Sequence, residues 1–236
     1  MSNNLRNEFQ FEEGGEKMVH SSDRKLALSG WLKKYHKTAY DRSLKLQKFL
    51  FLYESFSKAA NDAYEFDSLK GYKNGPVFSN VWGDYTKEGI IFSSRAEKQL
   101  EKFPNQINEE RARKVAFIVN TLSETELSQL THEFNIWGAK RERIQSGEYQ
   151  VELEDRDFNK DDIQIVRQLD LMFPNNMVDR STIIEIENHY FVISSDDMGL
   201  LTEQHMDVLS ELSMKASELH NPIFVDIDEE GRLNID

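Results

Sequence analysis

The residues best suited to chemistry are His132 and Glu133, which open like the His-Glu-x-x-His pattern of zinc proteases. Ile136 occupies the position that the second metal-binding histidine needs, so the pattern is broken. The chain also contains neither the Gly-x-Ser-x-Gly elbow of hydrolases nor a phosphate-binding Gly-x4-Gly-Lys-Ser/Thr loop. A histidine that hydrogen-bonds a neighbouring helix or faces a partner is therefore favoured over a catalytic one.

A second candidate is the run Asp155, Asp157 and Asn159, whose oxygen ligands alternate as at the start of a calcium-binding loop. The glycine of that loop is replaced by Lys160, and its bidentate glutamate is replaced by Val166. We therefore expect Asn159 to cap a helix. The chain has no cysteine, which excludes disulfides, thiolate catalysis and zinc-thiolate sites. We expect no metal, no cofactor and no enzymatic activity.

Charge is distributed unevenly along the 236 residues, whose net charge is -13. Residues 1–150 carry 23 Lys and Arg against 21 Asp and Glu, a net of 23 - 21 = +2. Residues 151–236 carry 6 against 21, a net of 6 - 21 = -15. A surface of that sign repels phosphate backbones, so we expect no direct contact with nucleic acid and favour a basic protein partner. The alternative is that the acidic residues only keep the protein in solution.

The N-terminal residues have no apolar segment of signal-peptide length, and no later run approaches the roughly 18 apolar residues of a membrane helix. We therefore expect a cytoplasmic protein with no membrane association. The polar, glutamate-rich composition predicts a flexible tail over residues 1–20.

Residues 21–150 have the periodicity of a helical domain. Apolar residues from Leu44 to Phe56 cover more than one face, which predicts a central buried helix with Asp41 as its cap. Gly75 allows a sharp turn, and Pro76 suits the first turn of a helix over 77–87. A capping box at Ser123 predicts one more short helix.

Residues 151–236 predict an acidic α+β extension. Helices are expected from Asn159 to Phe173 and from Thr202 to Leu219, and β-branched runs predict two short antiparallel hairpins, over 182–193 and 223–235. The fold class is therefore α+β and mainly helical, with a helical core followed by a C-terminal extension that contains the hairpins.

Three segments agree in order and spacing with one known family. They are the helix Leu44-x-Leu-Gln-Lys48-Phe-Leu-Phe51, the turn Lys73-Asn-Gly75-Pro76-Val77 with Trp82 and Tyr85 downstream, and Leu127-Ser-x-Leu-Thr131-His132-x4-Trp137-x3-Arg141. Together they resemble the Panacea domain, also called the SocA-like or phage-associated antitoxin domain. The resemblance covers roughly residues 25 to 147, and the acidic extension lies outside it.

The resemblance implies a cytoplasmic helical scaffold in a toxin–antitoxin pair, which neutralises a cognate toxin by direct protein contact. Eight residues of this chain match the motifs of the family. The resemblance implies that they bind the partner or build the scaffold: Gly75, Pro76, Val77, Trp82, Thr131, His132, Trp137 and Arg141.

Spacing adds detail to these candidates. Trp137 and Arg141 lie four residues apart, so on one helix they share a face and stack. Thr131 is expected to cap that helix, and His132 to orient a backbone carbonyl. The alternative is that all four lock their helix against the Gly75 turn.

Two other functions stay open at this stage. The same scaffold suits a proteolytic adaptor that delivers its toxin to an ATP-dependent protease, or a phage-encoded inhibitor of a host protein. A remote alternative is an uncharacterised hydrolase that uses His132 with Glu133.

Overall fold

The computed structural model describes residues 18–102, 104–215 and 219–236. Within them the α-helices are α1 (Asp23–Tyr35), α2 (Lys37–Asp41), α3 (Ser43–Ala59), α4 (Ser79–Lys87), α5 (Gly89–Lys102), α6 (Glu109–Asn120), α7 (Glu124–His132), α8 (Asn135–Gly138), α9 (Arg141–Gln145), α10 (Lys160–Met172), α11 (Asn175–Asp179) and α12 (Glu203–Lys215). The strands are β1 (Leu69–Tyr72), β2 (Gly75–Phe78), β3 (Val151–Glu152), β4 (Ser181–Ile186), β5 (His189–Ser194), β6 (Ile223–Ile227) and β7 (Leu233–Ile235).

These elements confirm the predicted fold class, mainly helical α+β with short antiparallel hairpins in the C-terminal extension. Of the tail predicted over residues 1–20, residues 1–17 lie outside the described part. No helix in the described ranges combines the length and the apolar character that crossing a membrane requires.

Helix α3 is the buried centre of the helical body, as its apolar pattern predicted. The ring of Phe49 stacks on Trp31 of α1 at 5.8 Å, and the ring of Phe51 meets Phe134 edge-on at 5.1 Å. The predicted cap is wrong, because Asp41 ends the separate helix α2 and pairs with Lys37. Extended backbone at the next residue breaks the two helices apart.

The turn at Gly75 belongs to a hairpin, so the prediction that Pro76 opens a helix is wrong. Strand β2 runs antiparallel to β1, with Tyr72 opposite Gly75 and Gly71 opposite Pro76. Proline is tolerated because β2 is an edge strand of the sheet β2-β1-β3, where no ladder hydrogen bond is needed on its outer side. Helix α4 therefore begins only at Ser79.

The C-terminal hairpins β4–β5 and β6–β7 form as predicted. The sequence did not predict that β5 and β6 pair in parallel, which joins the two hairpins into one sheet of order β4-β5-β6-β7. One face of this sheet packs on α12 around Phe191, Leu209 and Val225. Its other face contributes Ile183 and Val192 to the core of the helical body.

The core of the helical body continues beyond residue 150. Strand β3 is the third strand of the first sheet and pairs with β1. Seven side chains after residue 150 are buried in the same cluster as α3: Val151, Leu153, Phe158, Val166, Leu169, Phe173 and Val192. The change from near-neutral to acidic composition at residue 151 therefore does not coincide with a change of core.

Close packing of α1 on α5 gives a test of this fold. A Cβ on Gly30 would lie 2.2 Å from the backbone oxygen of Ala96, so Gly30→Ala forces the two helices apart. We expect a loss of about 1–3 kcal/mol in the free energy of unfolding, measured in urea. Gly83→Ala in α4 is the matched control, because within the described part of the chain no atom lies within 4 Å of its Cβ. The control should gain up to about 1 kcal/mol from helix propensity, and equal effects of the two would contradict this packing.

Candidate functional site

The hairpin turn at Gly75 lies directly against α3 and α7. Gly75 has φ +102, and a Cβ there would lie 2.3 Å from Lys48 Nζ and 2.5 Å from Thr131 Oγ1. The Lys48 ammonium donates to the carbonyl of Asn74, the residue before this glycine. Only glycine fits both the backbone angle and the space, so the turn is locked onto two helices. Pro76 is buried beside it and Val77 is half-buried, opposite Lys70 of β1.

Three more of the predicted residues stack beside this turn. The His132 ring lies 3.9 Å from the Trp137 ring at an interplanar angle of 22°, and the Arg141 guanidinium lies 5.4 Å from the centre of the same indole. Trp137 Nε1 donates to the carbonyl of Tyr72 at 3.0 Å, which ties the stack to β1. We call Lys48, Thr131, His132, Trp137 and Arg141 the Trp137 cluster.

The cluster is assembled differently from the sequence expectation. Trp137 lies on α8 and Arg141 begins α9, so the prediction that they share one helix is wrong, although their contact forms. Arg141 Nη2 also donates to the backbone carbonyl of His132 at 3.1 Å. Thr131 does not cap a helix start, because its hydroxyl donates at 3.0 Å to the carbonyl of Leu127 within α7.

Trp82 stands apart from the Trp137 cluster. It lies on α4 with 37% of its surface exposed, and among the described residues its indole forms no ring stack or cation–π pair with the cluster. The structure therefore brings seven of the eight predicted residues to the hairpin turn and its surroundings and places the eighth on the surface of a neighbouring helix.

Electrostatics at the cluster depend on the burial of Lys48. Burial lowers the pKa of Lys48 to about 7, so its charge is marginal at neutral pH. Burial also lowers the pKa of His132, and the nearby charge of Lys48 lowers it further, which favours a neutral imidazole. Glu133 caps the C-terminal end of α7 and is exposed, and no carboxylate hydrogen-bonds the His132 ring within the described residues. The pair therefore lacks the geometry of a catalytic acid–base dyad.

A cleft of about 560 Å³ opens beside the cluster, and we call it the Tyr149 cleft. Its walls include Tyr72, Lys73, His132, Trp137, Tyr149 and Gln150. The Tyr72 and Tyr149 rings meet edge-on with centroids 5.6 Å apart. His132 Nε2 and the Tyr72 hydroxyl are buried and lack a well-aligned hydrogen bond; their weak partners are the Lys73 backbone for the imidazole and the Tyr149 and Gln150 side chains for the hydroxyl. Tyr72 and Tyr149 were not predicted from the sequence, because the residues that flank them have the pattern of an ordinary strand and an ordinary turn.

A second surface of interest is the exposed side of α12, where Glu203, Asp207 and Glu211 recur every four residues. Only Glu211 among these three has an ion-pair partner in the described chain, which is Lys215. Glu229 is exposed in the turn of the neighbouring hairpin β6–β7, where the Gly231 carbonyl contacts the His205 ring of α12 at 2.9 Å. We call Glu203, Asp207, Glu211 and Glu229 the acidic flank.

Specific contacts hold the sheet that bears the acidic flank against the helical body. Arg42 pairs with Glu185 of β4 at 2.7 Å, and the Lys45 ammonium lies 4.3 Å from the ring centre of Tyr190 on β5. Asn221, two residues before β6, donates through its side-chain amide to Glu126 of α7 at 2.9 Å. The flank therefore has a fixed position relative to α3 and α7.

A scan against protein-family models and searches of curated proteins and of solved structures found no match to this chain. The fold and the two surfaces together define a mainly helical α+β protein with a small aromatic cleft and an acidic flank.

Two glycines with left-handed backbone allow the lock at the hairpin turn to be measured. Gly75→Ala and Gly147→Ala both impose backbone strain of about 1–3 kcal/mol, since their φ angles are +102 and +93. Only Gly75→Ala also meets Lys48 and Thr131, because no atom of the described residues lies within 4 Å of a Cβ at Gly147. We expect Gly75→Ala to lose about 1–3 kcal/mol more than Gly147→Ala in urea unfolding. Similar losses of unfolding free energy in the two variants would show that a methyl group at residue 75 fits between Lys48 and Thr131.

Burial of Lys48 predicts a characteristic pH dependence. Its folded pKa of about 7 lies below the value of about 10.4 in an unfolded chain, so the unfolded state binds more protons between these pH values. The Lys48 contribution to stability should therefore rise from pH 7 to pH 10, by a few kcal/mol.

The measurement is urea unfolding of the wild type and Lys48→Met at several pH values. The stability difference between them should change in favour of the wild type as the pH rises through this window. Lys98→Met, which removes an exposed lysine, should leave the slope unchanged. Parallel curves for the wild type and Lys48→Met would contradict the burial of this ammonium group.

Proposed function

We propose that this protein is an antitoxin of a toxin–antitoxin pair, which acts in the cytoplasm by binding its cognate toxin directly. The observation that carries the proposal is the acidic flank, where Glu203 and Asp207 are exposed and form no ion pair with the described residues. Residues 151–236 contain 21 acidic and 6 basic residues, so the net charge of this part of the molecule is negative. A surface of this kind attracts a basic protein partner.

Charge also suggests what the partner does. Toxins that act on RNA, tRNA or nucleotides need basic clefts to hold phosphate groups. An acidic surface that covers such a cleft blocks the substrate and accelerates encounter by electrostatic steering. Val208 and Met214 on α12 are exposed apolar side chains, and they add apolar contact area to an interface at this surface.

The motif residues that resemble the Panacea domain support the proposal in a different way. Trp137 is only 2% exposed and Gly75, Pro76 and Thr131 are buried, so these residues build the scaffold in the free protein. Arg141 is exposed beside Trp137 and is the member of the Trp137 cluster that a partner can reach directly. In this interpretation the cluster keeps the helices in place and the acidic flank provides specificity.

Co-expression tests the proposal. The gene adjacent to the one for this chain, expressed alone, should arrest growth, and co-expression should restore growth and give a purified complex. A harmless neighbour, or a toxic one that is not rescued and does not bind, would contradict the antitoxin function.

Host background then separates the alternatives. Rescue that disappears in a host lacking its ATP-dependent proteases would favour the proteolytic adaptor. His132→Ala with full rescue and normal stability would exclude a hydrolase that depends on this residue.

The acidic flank predicts a salt-dependent association rate. The triple change Glu203→Gln, Asp207→Asn and Glu211→Gln should slow association with the toxin about tenfold at low salt, with little effect on dissociation. At about 0.5 M salt, where screening acts within a few ångströms, the difference should vanish. Stopped-flow or surface plasmon resonance measures both rates.

A charge-matched control distinguishes the flank from net charge alone. Asp67→Asn, Glu101→Gln and Glu142→Gln also remove three exposed carboxylates, outside the acidic flank. This control should associate at nearly the wild-type rate. An equal slowing in the two variants would assign the effect to total charge, and no slowing in either would refute steering by the flank.

A further inference from the structure

The Tyr149 cleft differs from the acidic flank in both shape and chemistry. Its volume of about 560 Å³ lies within the range of about 300–1,000 Å³ that small-molecule sites occupy. Aromatic rings form much of its wall, and Tyr149 is 75% exposed at its rim. Two exposed amide side chains, Gln145 and Gln150, complete the lining with donors and acceptors. A planar ring with a polar edge is complementary to such walls.

Two buried polar atoms in the cleft walls lack a well-aligned hydrogen bond. His132 Nε2 and the Tyr72 hydroxyl have only weak partners, which are the Lys73 backbone for the imidazole and the Tyr149 and Gln150 side chains for the hydroxyl. A buried polar group without a good hydrogen bond costs about 1–3 kcal/mol. A ligand whose polar edge reaches these atoms replaces the weak bonds with well-aligned ones.

The charges around the cleft favour an anionic group on the ligand. Lys73 is exposed at the cleft and forms no ion pair with the described residues. Glu148, the carboxylate in the lining, is already paired with Arg143. Arg141 adds a second cation next to the Trp137 ring. A basic protein segment suited to the acidic flank is therefore a poor occupant of this cleft.

We propose that the Tyr149 cleft binds a small ligand of the nucleotide class, with its base against Tyr72 and Tyr149 and its phosphate at Lys73. Stacking of a base on an aromatic side chain is worth about 1–3 kcal/mol and tolerates any base. The base edge faces His132, and the phosphate remains at the open rim. This site is separate from the toxin-binding surface and needs no toxin to be filled.

Calorimetric titration of the full chain with AMP, GMP, CMP and UMP tests the proposal, with adenosine and inorganic phosphate as partial ligands. At least one nucleotide should bind more tightly than about 1 mM. Tyr149→Ala should weaken the binding of both AMP and adenosine about tenfold, because both lose the ring contact. Lys73→Gln should weaken AMP about fivefold and leave adenosine unchanged, because only AMP carries the phosphate.

Matched variants control for unspecific effects of these changes. Tyr35→Ala and Lys98→Gln remove an exposed ring and an exposed lysine elsewhere and should leave nucleotide affinity unchanged. Each variant should retain the unfolding midpoint of the wild type. The proposal is wrong if no nucleotide binds at about 1 mM, or if Tyr149→Ala and Lys73→Gln leave the affinities as they are. Because no toxin is present in these titrations, neither result bears on the antitoxin function.

Discussion

The structure depends on polar side chains that are buried along the central helix α3. Each must find a partner inside the protein, because an unpaired buried polar group is costly. Gln47 accepts a hydrogen bond from the backbone of β2, and Lys48 donates to the turn between β1 and β2. Glu54 binds two cations of α1, and Lys45 lies over a tyrosine ring of β5. Apolar packing alone would allow these elements to slide on α3, whereas the contacts of these four side chains fix their positions.

This constraint explains why the motif residues lie where they do. Lys48 requires a carbonyl at one fixed point, which only a tight hairpin with Gly75 can present so close to the helix. Thr131 fills the remaining space above the glycine, and Trp137 binds the carbonyl of β1 on the other side. A set of residues that builds such a lock would be retained by a scaffold whatever it binds. The motif residues that resemble an antitoxin family therefore build the scaffold, and under the proposed function the surfaces outside the motif select the partner.

Local sequence patterns were sufficient to predict most of the helices and strands. Apolar periodicity predicted α3, and the capping residues Ser123 and Asn159 predicted where α7 and α10 begin. The predictions were wrong where pairing between segments distant in the chain determines the local structure. Pro76 is compatible with a helix start and with an edge strand, and only its pairing with β1 selects the strand. The parallel pairing of β5 with β6 and the Tyr149 cleft both join segments distant in the chain, which periodicity does not report.

The acidic flank and the Tyr149 cleft differ in charge. Glu203 and Asp207 of the flank form no ion pair with the described residues, whereas the Tyr149 cleft exposes Lys73 and lies beside Arg141. A basic partner gains at the first surface and is repelled at the second, and a phosphate-bearing ligand meets the reverse. Helix α7 holds the sheet on which α12 packs, through the bond of Glu126 with Asn221 at its first turn, and lines the Tyr149 cleft with His132 at its last residue. Because this helix is anchored at both ends, the two surfaces keep a fixed separation, and each can be altered without rebuilding the other.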